Sequence, residues 1–252
     1  MVMAKKINKY IRKRKNKMII VKILFLLFFI AIGFGIFACK SDFFLIKKVA
    51  ILGNPAMSGE DVKEKTEYLI GQNILFIDKE HIISEAKSNA YVEDVKIKNL
   101  YPKQVNITLT EKKAIYYVEM NEKIYVLSDD LMILEDNANI ENRTLVKLDG
   151  VTIDNPTLGQ CGIEDGRIFN ILKSFSKMIE INPTEFDINS IDLFDLMNIK
   201  VYIGAIEGKL GNDENLPDKM NKLLHIIEDP TIGIKKGYVD VGFEGSPIYY
   251  SE

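Results

Sequence analysis

The chain has 252 residues, with 33 Lys and Arg against 36 Asp and Glu, 47% hydrophobic residues, 16 glycines, 7 prolines and 2 cysteines. That composition excludes an intrinsically disordered chain, a collagen-like repeat and a disulfide-stapled scaffold. The formal net charge of −3 conceals a division: ten of the basic residues precede Asp42, the first acidic residue, so residues 41–252 hold 23 basic against 36 acidic side chains, a net of −13.

In chain order, residues 1–17 form a basic tail that contains Lys5, Lys6, Lys9, Arg12, Lys13, Arg14, Lys15 and Lys17 and no acid. Ile23 to Cys39 follows as seventeen consecutive uncharged residues rich in Leu, Ile and Phe. Extended back to Met18, with Lys22 snorkelling, the segment 18–39 makes roughly 33 Å of helix against a hydrocarbon core of about 30 Å. One transmembrane helix is the expectation. The positive-inside bias then keeps the tail cytoplasmic and places the acidic body outside. A cleaved signal peptide fits less well, because its apolar region is usually shorter and Phe37 and Lys40 crowd a cleavage point. Phe37 also disfavours a lipoprotein signal ending at Cys39. Beside a span, the basic cluster sets orientation and touches anionic lipid rather than binding nucleic acid.

After Phe43 and Phe44, which suit the headgroup level, Val49 to Leu52 reads as a strand ending at Gly53-Asn54-Pro55. Ser58, with Asp61 three residues on, has the spacing of a capped helix whose inward face is Val62, Thr66, Leu69 and Ile70, stopped by Gly71. Asp78 caps a second helix with Ile82, Ile83 and Ala86 inward. Val92, Val95 and Ile97 form a strand that breaks at Leu100-Tyr101-Pro102, and Val105, Ile107 and Leu109 alternate strictly with polar residues. The order is strand, helix, helix, strand, strand.

From residue 113 the pattern becomes mostly β. Ala114–Met120, Ile124–Leu127 and Met132–Leu134 form a meander. A helix carries Ile168, Ile171, Leu172, Phe175 and Ile179 on one stripe, before strands at Ser190–Leu193 and Ile199–Ile203. Another helix begins near Pro217 with Met220, Leu223, Leu224 and Ile227 on one face and ends before Pro230. Tyr238–Phe243 alternates again, and the short aromatic segment Ser246–Tyr250 suits a sheet edge. The fold class is therefore α+β.

Catalytic patterns are thin. His81 and His225 lie on predicted helices as surface residues, and no metal-ligand spacing occurs, so neither a metal nor a cofactor is expected. Gly204-Ala-Ile-Glu-Gly208-Lys209-Leu210-Gly211 imitates a phosphate-binding loop. It has three residues rather than four between its glycines, and Leu210 stands where Ser or Thr is required, so a turn after a strand is the reading. Ser84 to Lys87 and Ser174 to Lys177 match Ser-x-x-Lys without the supporting motifs of a serine acyl-enzyme, and Gly245-Ser246-Pro247 lacks the second glycine of a nucleophile elbow. Asp94 and Glu111 fall on solvated strand faces rather than forming a carboxylate dyad. Cys161 is expected as a small buried residue. No enzyme activity is assigned.

The order of these features resembles the bacterial cell-division protein family FtsQ, called DivIB in Gram-positive lineages. Ile46-Lys-Lys-Val49-Ala-Ile51-Leu52-Gly53-Asn54 is similar to the opening strand and turn of that family's POTRA domain. Val95 through Tyr101-Pro102 into Val105–Glu111 is similar to its closing strands. Leu145-Val-Lys-Leu148-Asp-Gly150 resembles a later family segment in which Lys147 replaces a proline, and Val201–Gly204, Lys219–Ile227 and Gly237–Val241 resemble the closing strand, helix and strand.

The resemblance implies a cytoplasmic tail 1–17, a transmembrane helix 18–39, a POTRA domain 43–112, a β domain 113–245 and a C-terminal edge strand 246–252. It also implies a non-enzymatic scaffold at the division septum, without cofactor. Its partners would be FtsB (DivIC) and FtsL, small bitopic proteins, through which it joins septal wall synthesis. The matching contact positions are Phe243, Glu244, Gly245, Ile248 and Tyr249. A POTRA-bearing secretion or envelope-assembly component and an extracytoplasmic enzyme or sensor are the alternatives, although no second POTRA repeat is visible.

Overall fold

The computed structural model describes residues 2–182, 184 and 186–252, with side chains from Asn16 onward. Helix α1 (Val2–Lys40) contains the segment Asn16–Lys40, long and apolar enough to cross a membrane. Its apolar side chains are exposed, as a surface meant for lipid requires.

The first folded unit comprises β1 (Lys48–Leu52), α2 (Gly59–Lys65), α3 (Lys79–Lys87), β2 (Val92–Leu100) and β3 (Gln104–Glu111). β3 is central, parallel to β1 and antiparallel to β2. Its alternating Val105, Ile107 and Leu109 are buried with Val62 and Leu69 around α2 and with Ile82 and Ala86 of α3. Asp78 caps α3, accepting from the His81 N–H at 3.1 Å. Two local expectations are corrected. α2 stops at Lys65, the chain continues as a 3-10 turn Glu67–Leu69, and Ile70 lies outside the core, exposed. Ser58 makes no side-chain cap of α2. Its hydroxyl donates to Glu111 Oε1 at 2.7 Å instead.

The second unit is built on one nine-stranded sheet. Its strands are β4 (Ala114–Met120), β5 (Lys123–Ser128), β6 (Ile133–Glu135), β7 (Val146–Asp149), β8 (Ser190–Asp192), β9 (Ile199–Ile203), β10 (Ala205–Gly211), β11 (Lys236–Asp240) and β12 (Ile248–Ser251). The spatial order is β12-β11-β10-β9-β8-β7-β4-β5-β6. Helices α4 (Gly166–Ile181) and α5 (Leu216–Glu228) cover one face, burying Ile171, Leu172 and Phe175 of α4 and Met220, Leu223 and Ile227 of α5. The opposite face carries Lys147 between Glu119 and Asp149, and Lys200 beside Glu207 at 3.2 Å, so this half of the sheet meets water.

Of residues 204–211 only Gly204 is a turn, at φ 58°, and the rest are strand β10. The glycine at 208 serves packing: a Cβ there would meet Leu223 Cδ2 at 2.3 Å, so its absence lets α5 lie close on the sheet. β7 is a further strand, and the Lys147 N–H donates to Asn189 O at 2.9 Å, a bond that a proline could not make. Cys161 is exposed rather than buried, because the loop that bears it bridges to Met132 at the sheet margin with its side chain outward.

The two units meet at a small apolar cluster of Tyr91, Val126 and Leu134, with Tyr117 and Ile140 against it. The Tyr91 hydroxyl donates to Glu135 Oε1, Arg143 Nη1 lies 2.8 Å from that same oxygen, and Arg143 Nη2 donates to the Tyr91 hydroxyl at 3.0 Å. Burial and the Glu135 bond push the Tyr91 phenol up to about 12, and the Glu135 and Tyr91 bonds hold the Arg143 guanidinium protonated against its desolvation.

Candidate partner-binding edge

A sheet of nine strands has two edges, and the chain treats them differently. At β6, the Ile133 N–H donates to Gln160 O and its carbonyl accepts from the Gly159 N–H, so a loop of the same molecule covers that edge. At the other end, β12 pairs antiparallel with β11 through Tyr238↔Tyr250, Val239↔Tyr249 and Asp240↔Ile248, and no described strand lies beyond it. Its outer N–H and C=O groups are open to a further strand.

The segment from 243 to 251 is apolar yet outside the core. Phe243 is 45% exposed, Ile248 54%, Tyr249 50% and Tyr250 54%. Strand alternation puts Tyr249 on the same face as Val239, which is fully buried, while Tyr249 stays half-exposed. On the other face Tyr250 stacks on Tyr238 with centroids 6.0 Å apart, and Lys209 Nζ lies 4.0 Å from the Tyr238 centroid. Lys236 pairs with Glu252 at the strand end. Gly245 has φ 142°, the turn that lets the chain double back from Phe243 to β12. All five positions matched in the sequence, Phe243, Glu244, Gly245, Ile248 and Tyr249, thus gather at one exposed edge.

Other polar clusters belong to the framework. His81 and His225 are exposed on α3 and α5, and among the described residues no group of three or more His, Cys, Asp or Glu is placed to hold a metal ion. Ser84 and Lys87 are both exposed, and Ser174 is half-buried while Lys177 points to water. It is Ser176 that turns inward, donating to Asp129 O at 3.0 Å beside the Tyr116 hydroxyl. Glu111 is no solvated carboxylate. It accepts from the N–H groups of Ala56 (2.8 Å), Met57 (3.0 Å) and Ser58 (2.6 Å), as well as the Ser58 hydroxyl. Burial opposes its ionisation, but these bonds outweigh burial and hold its pKa below the usual range. Only the loop's fold reveals this role, since Ser58 and Glu111 lie 53 residues apart.

Residues 44–112 match the family model described as POTRA domain, FtsQ-type. Over 247 residues the chain is 29% identical to the cell division protein DivIB of Clostridium botulinum strain Hall, covering 97% of this chain and 96% of that protein. The POTRA unit is of the FtsQ type, and the chain aligns over nearly its whole length with DivIB cell-division proteins. DivIB of Clostridium tetani is 29% identical over 84% of this chain and 81% of its own length, and FtsQ of Syntrophotalea carbinolica 21% identical over 79% and 70%. That likeness supports a role in cell division, and α1 supplies one segment long and apolar enough for a single-pass anchor.

Proposed function

We propose that this protein is a non-enzymatic scaffold of the division septum. The POTRA unit and the β domain stand outside the membrane, and the basic residues 1–17 remain in the cytoplasm. Its C-terminal edge takes up the small bitopic partners FtsB (DivIC) and FtsL and so couples them to septal wall synthesis. The observation that supports this reading is the open β12 edge with its exposed aromatic residues. An extended segment of a partner would add a tenth strand, with main-chain hydrogen bonds giving affinity and Phe243 and Tyr249 giving selectivity. The positive-inside bias of the head supports the orientation.

Both anchors are exposed, so their truncation leaves the fold intact and is read cleanly as binding. Phe243→Ala and Tyr249→Ala are each expected to weaken binding of the partner ectodomain by about 2 kcal/mol or more, the loss typical of a binding hot spot. Unchanged affinity with an unchanged circular dichroism spectrum would refute the edge assignment. A fluorescent fusion at the N-terminus is expected to form a band at mid-cell, and diffuse envelope fluorescence would count against the septal reading.

A further inference from the structure

The last turn of α1 docks on the POTRA unit instead of leaving it through a free linker. Ala38 is buried, and its carbonyl accepts from Asn73 Nδ2 at 2.7 Å. The Phe37 and Phe44 rings meet edge-on with centroids 6.3 Å apart. Around this junction three segments distant in sequence converge. The Ile74 N–H donates to Phe44 O at 2.9 Å and Asn99 Nδ2 to Ile74 O at 3.2 Å. The Lys47 N–H donates to Lys103 O at 2.8 Å, and Lys103 Nζ lies 5.8 Å from the Phe43 ring centroid.

The rim so formed exposes large apolar side chains from all three segments: Phe43, Leu75, Phe76, Leu100 and Tyr101, with Phe76 65% and Tyr101 62% exposed. Interleaved with them are Lys40, Lys47, Lys48 and Lys103, against the single acid Asp42 in the segment that joins α1 to β1. Aromatic rings with lysines are the composition of a headgroup layer, where rings rest at the water boundary and ammonium groups reach phosphates. Continuity indicates what covers the rim. The exposed apolar surface of α1 runs up to Phe37, and the rim begins within one turn of it.

We infer that this rim is a lipid-binding surface, seated among phospholipid headgroups and strongest on anionic ones, so that the POTRA unit stands on the membrane at a fixed attitude. The inference rests on α1 spanning the bilayer. It gives the unit a near and a far end: the β2–β3 ladder runs from Leu100↔Gln104 beside the rim to Val92↔Glu111 at the other end, about 26 Å away at ~3.3 Å per residue. Met57, whose N–H is held by Glu111, marks the far end.

The chain contains no tryptophan, so one substitution installs a unique emitter. Full-length protein carrying Phe76→Trp, Tyr101→Trp or, as control, Met57→Trp is reconstituted into phosphatidylcholine and phosphatidylglycerol vesicles that include lipid brominated near the glycerol end of its chains. All three positions are exposed, so the cores are undisturbed. Blue-shifted, bromine-quenched emission is expected at positions 76 and 101, with neither effect at 57. Flotation of the protein with the vesicles and its resistance to carbonate extraction report separately whether α1 is inserted. Inserted protein with red-shifted, unquenched emission at 76 and 101 overturns the inference and spares the anchor, whereas failure to float overturns both. Quenching at all three positions overturns the upright attitude. Emission at 76 that turns blue only when partner ectodomain is added, without quenching, assigns the rim to protein rather than lipid.

Discussion

Glu111 offers the sharpest test of how the POTRA unit is closed. Its carboxylate ends β3 and gathers three consecutive backbone N–H groups and the Ser58 hydroxyl, tying the loop that leads into α2 to the strand 53 residues later. Ala56 and Met57 are exposed, so their N–H groups return to water when the carboxylate is removed. Ser58 is fully buried, and both its donors would lose their acceptor without gaining water. Each such orphan costs about 1–3 kcal/mol, so with two of them Glu111→Ala is expected to cost about 2–6 kcal/mol. Glu111→Gln keeps one oxygen for the Met57 and Ser58 donors and gives up the charge and the bond to Ala56, whose exposed N–H returns to water, a loss of about 1 kcal/mol. For a unit of this size each kcal/mol moves the thermal midpoint by about 4–8 °C. Because the folded pKa lies below the unfolded value of 4.5, the stabilisation from ionised Glu111 is complete above 4.5 and is lost as pH falls through the folded pKa. The advantage of wild type over Glu111→Gln therefore shrinks in acid. Thermal unfolding of residues 41–252 by circular dichroism from pH 7 to pH 3, with hydrogen exchange at the Ser58 amide, measures both effects. If Glu111→Ala costs no more than Glu111→Gln, or the gap does not depend on pH, the carboxylate is not what holds the loop.

Two further expectations concern the β domain. Gly208→Ala is expected to destabilise it by about 1–3 kcal/mol, because the new methyl overlaps Leu223 Cδ2 and Val201 Cγ2; an unchanged midpoint in denaturant would show that α5 does not lie tightly on β10. Arg143→Ala leaves Glu135 with Tyr91 alone and is expected to cost about 1–2 kcal/mol and to broaden the angle between the two units. Small-angle scattering of residues 41–252 reads that angle, and an unaltered profile would mean that the apolar contact around Tyr91 suffices.

Much of this architecture is legible in sequence because its signals are local. The stripes of α4 and α5 and the strict alternation of β3 stand at periods that only one kind of element satisfies. What escapes is set by partners far along the chain. Residues 204–211 read as a turn after a strand, yet only Gly204 turns, and Gly208 is glycine so that Leu223 can pack there, which is invisible to a window of ten residues. Ser58 has capping spacing, but its hydroxyl donates to Glu111 instead of accepting from the first N–H groups of α2. The outward side chain of Cys161 follows from its bridge to Met132, a long-range pairing. The terminal aromatic segment reads as a sheet edge, but its proposed contact role comes only through resemblance. Aromatic residues in a terminal strand look alike whether they close a core or face water, and the burial of Val239 beside the exposure of Tyr249 separates the two cases.

The length of β2 has a consequence for any companion rooted in the same bilayer. The α1 junction and the β domain attach at opposite ends of the POTRA unit, separated by the nine residues of β2, about 26 Å from end to end. The unit is in effect a ruler. A companion that climbs beside it as a helix needs about 18 residues, at 1.5 Å each, to gain that height and come level with the start of the β domain. Shortening such a helix by two or three turns would leave its binding sequence intact and still out of reach.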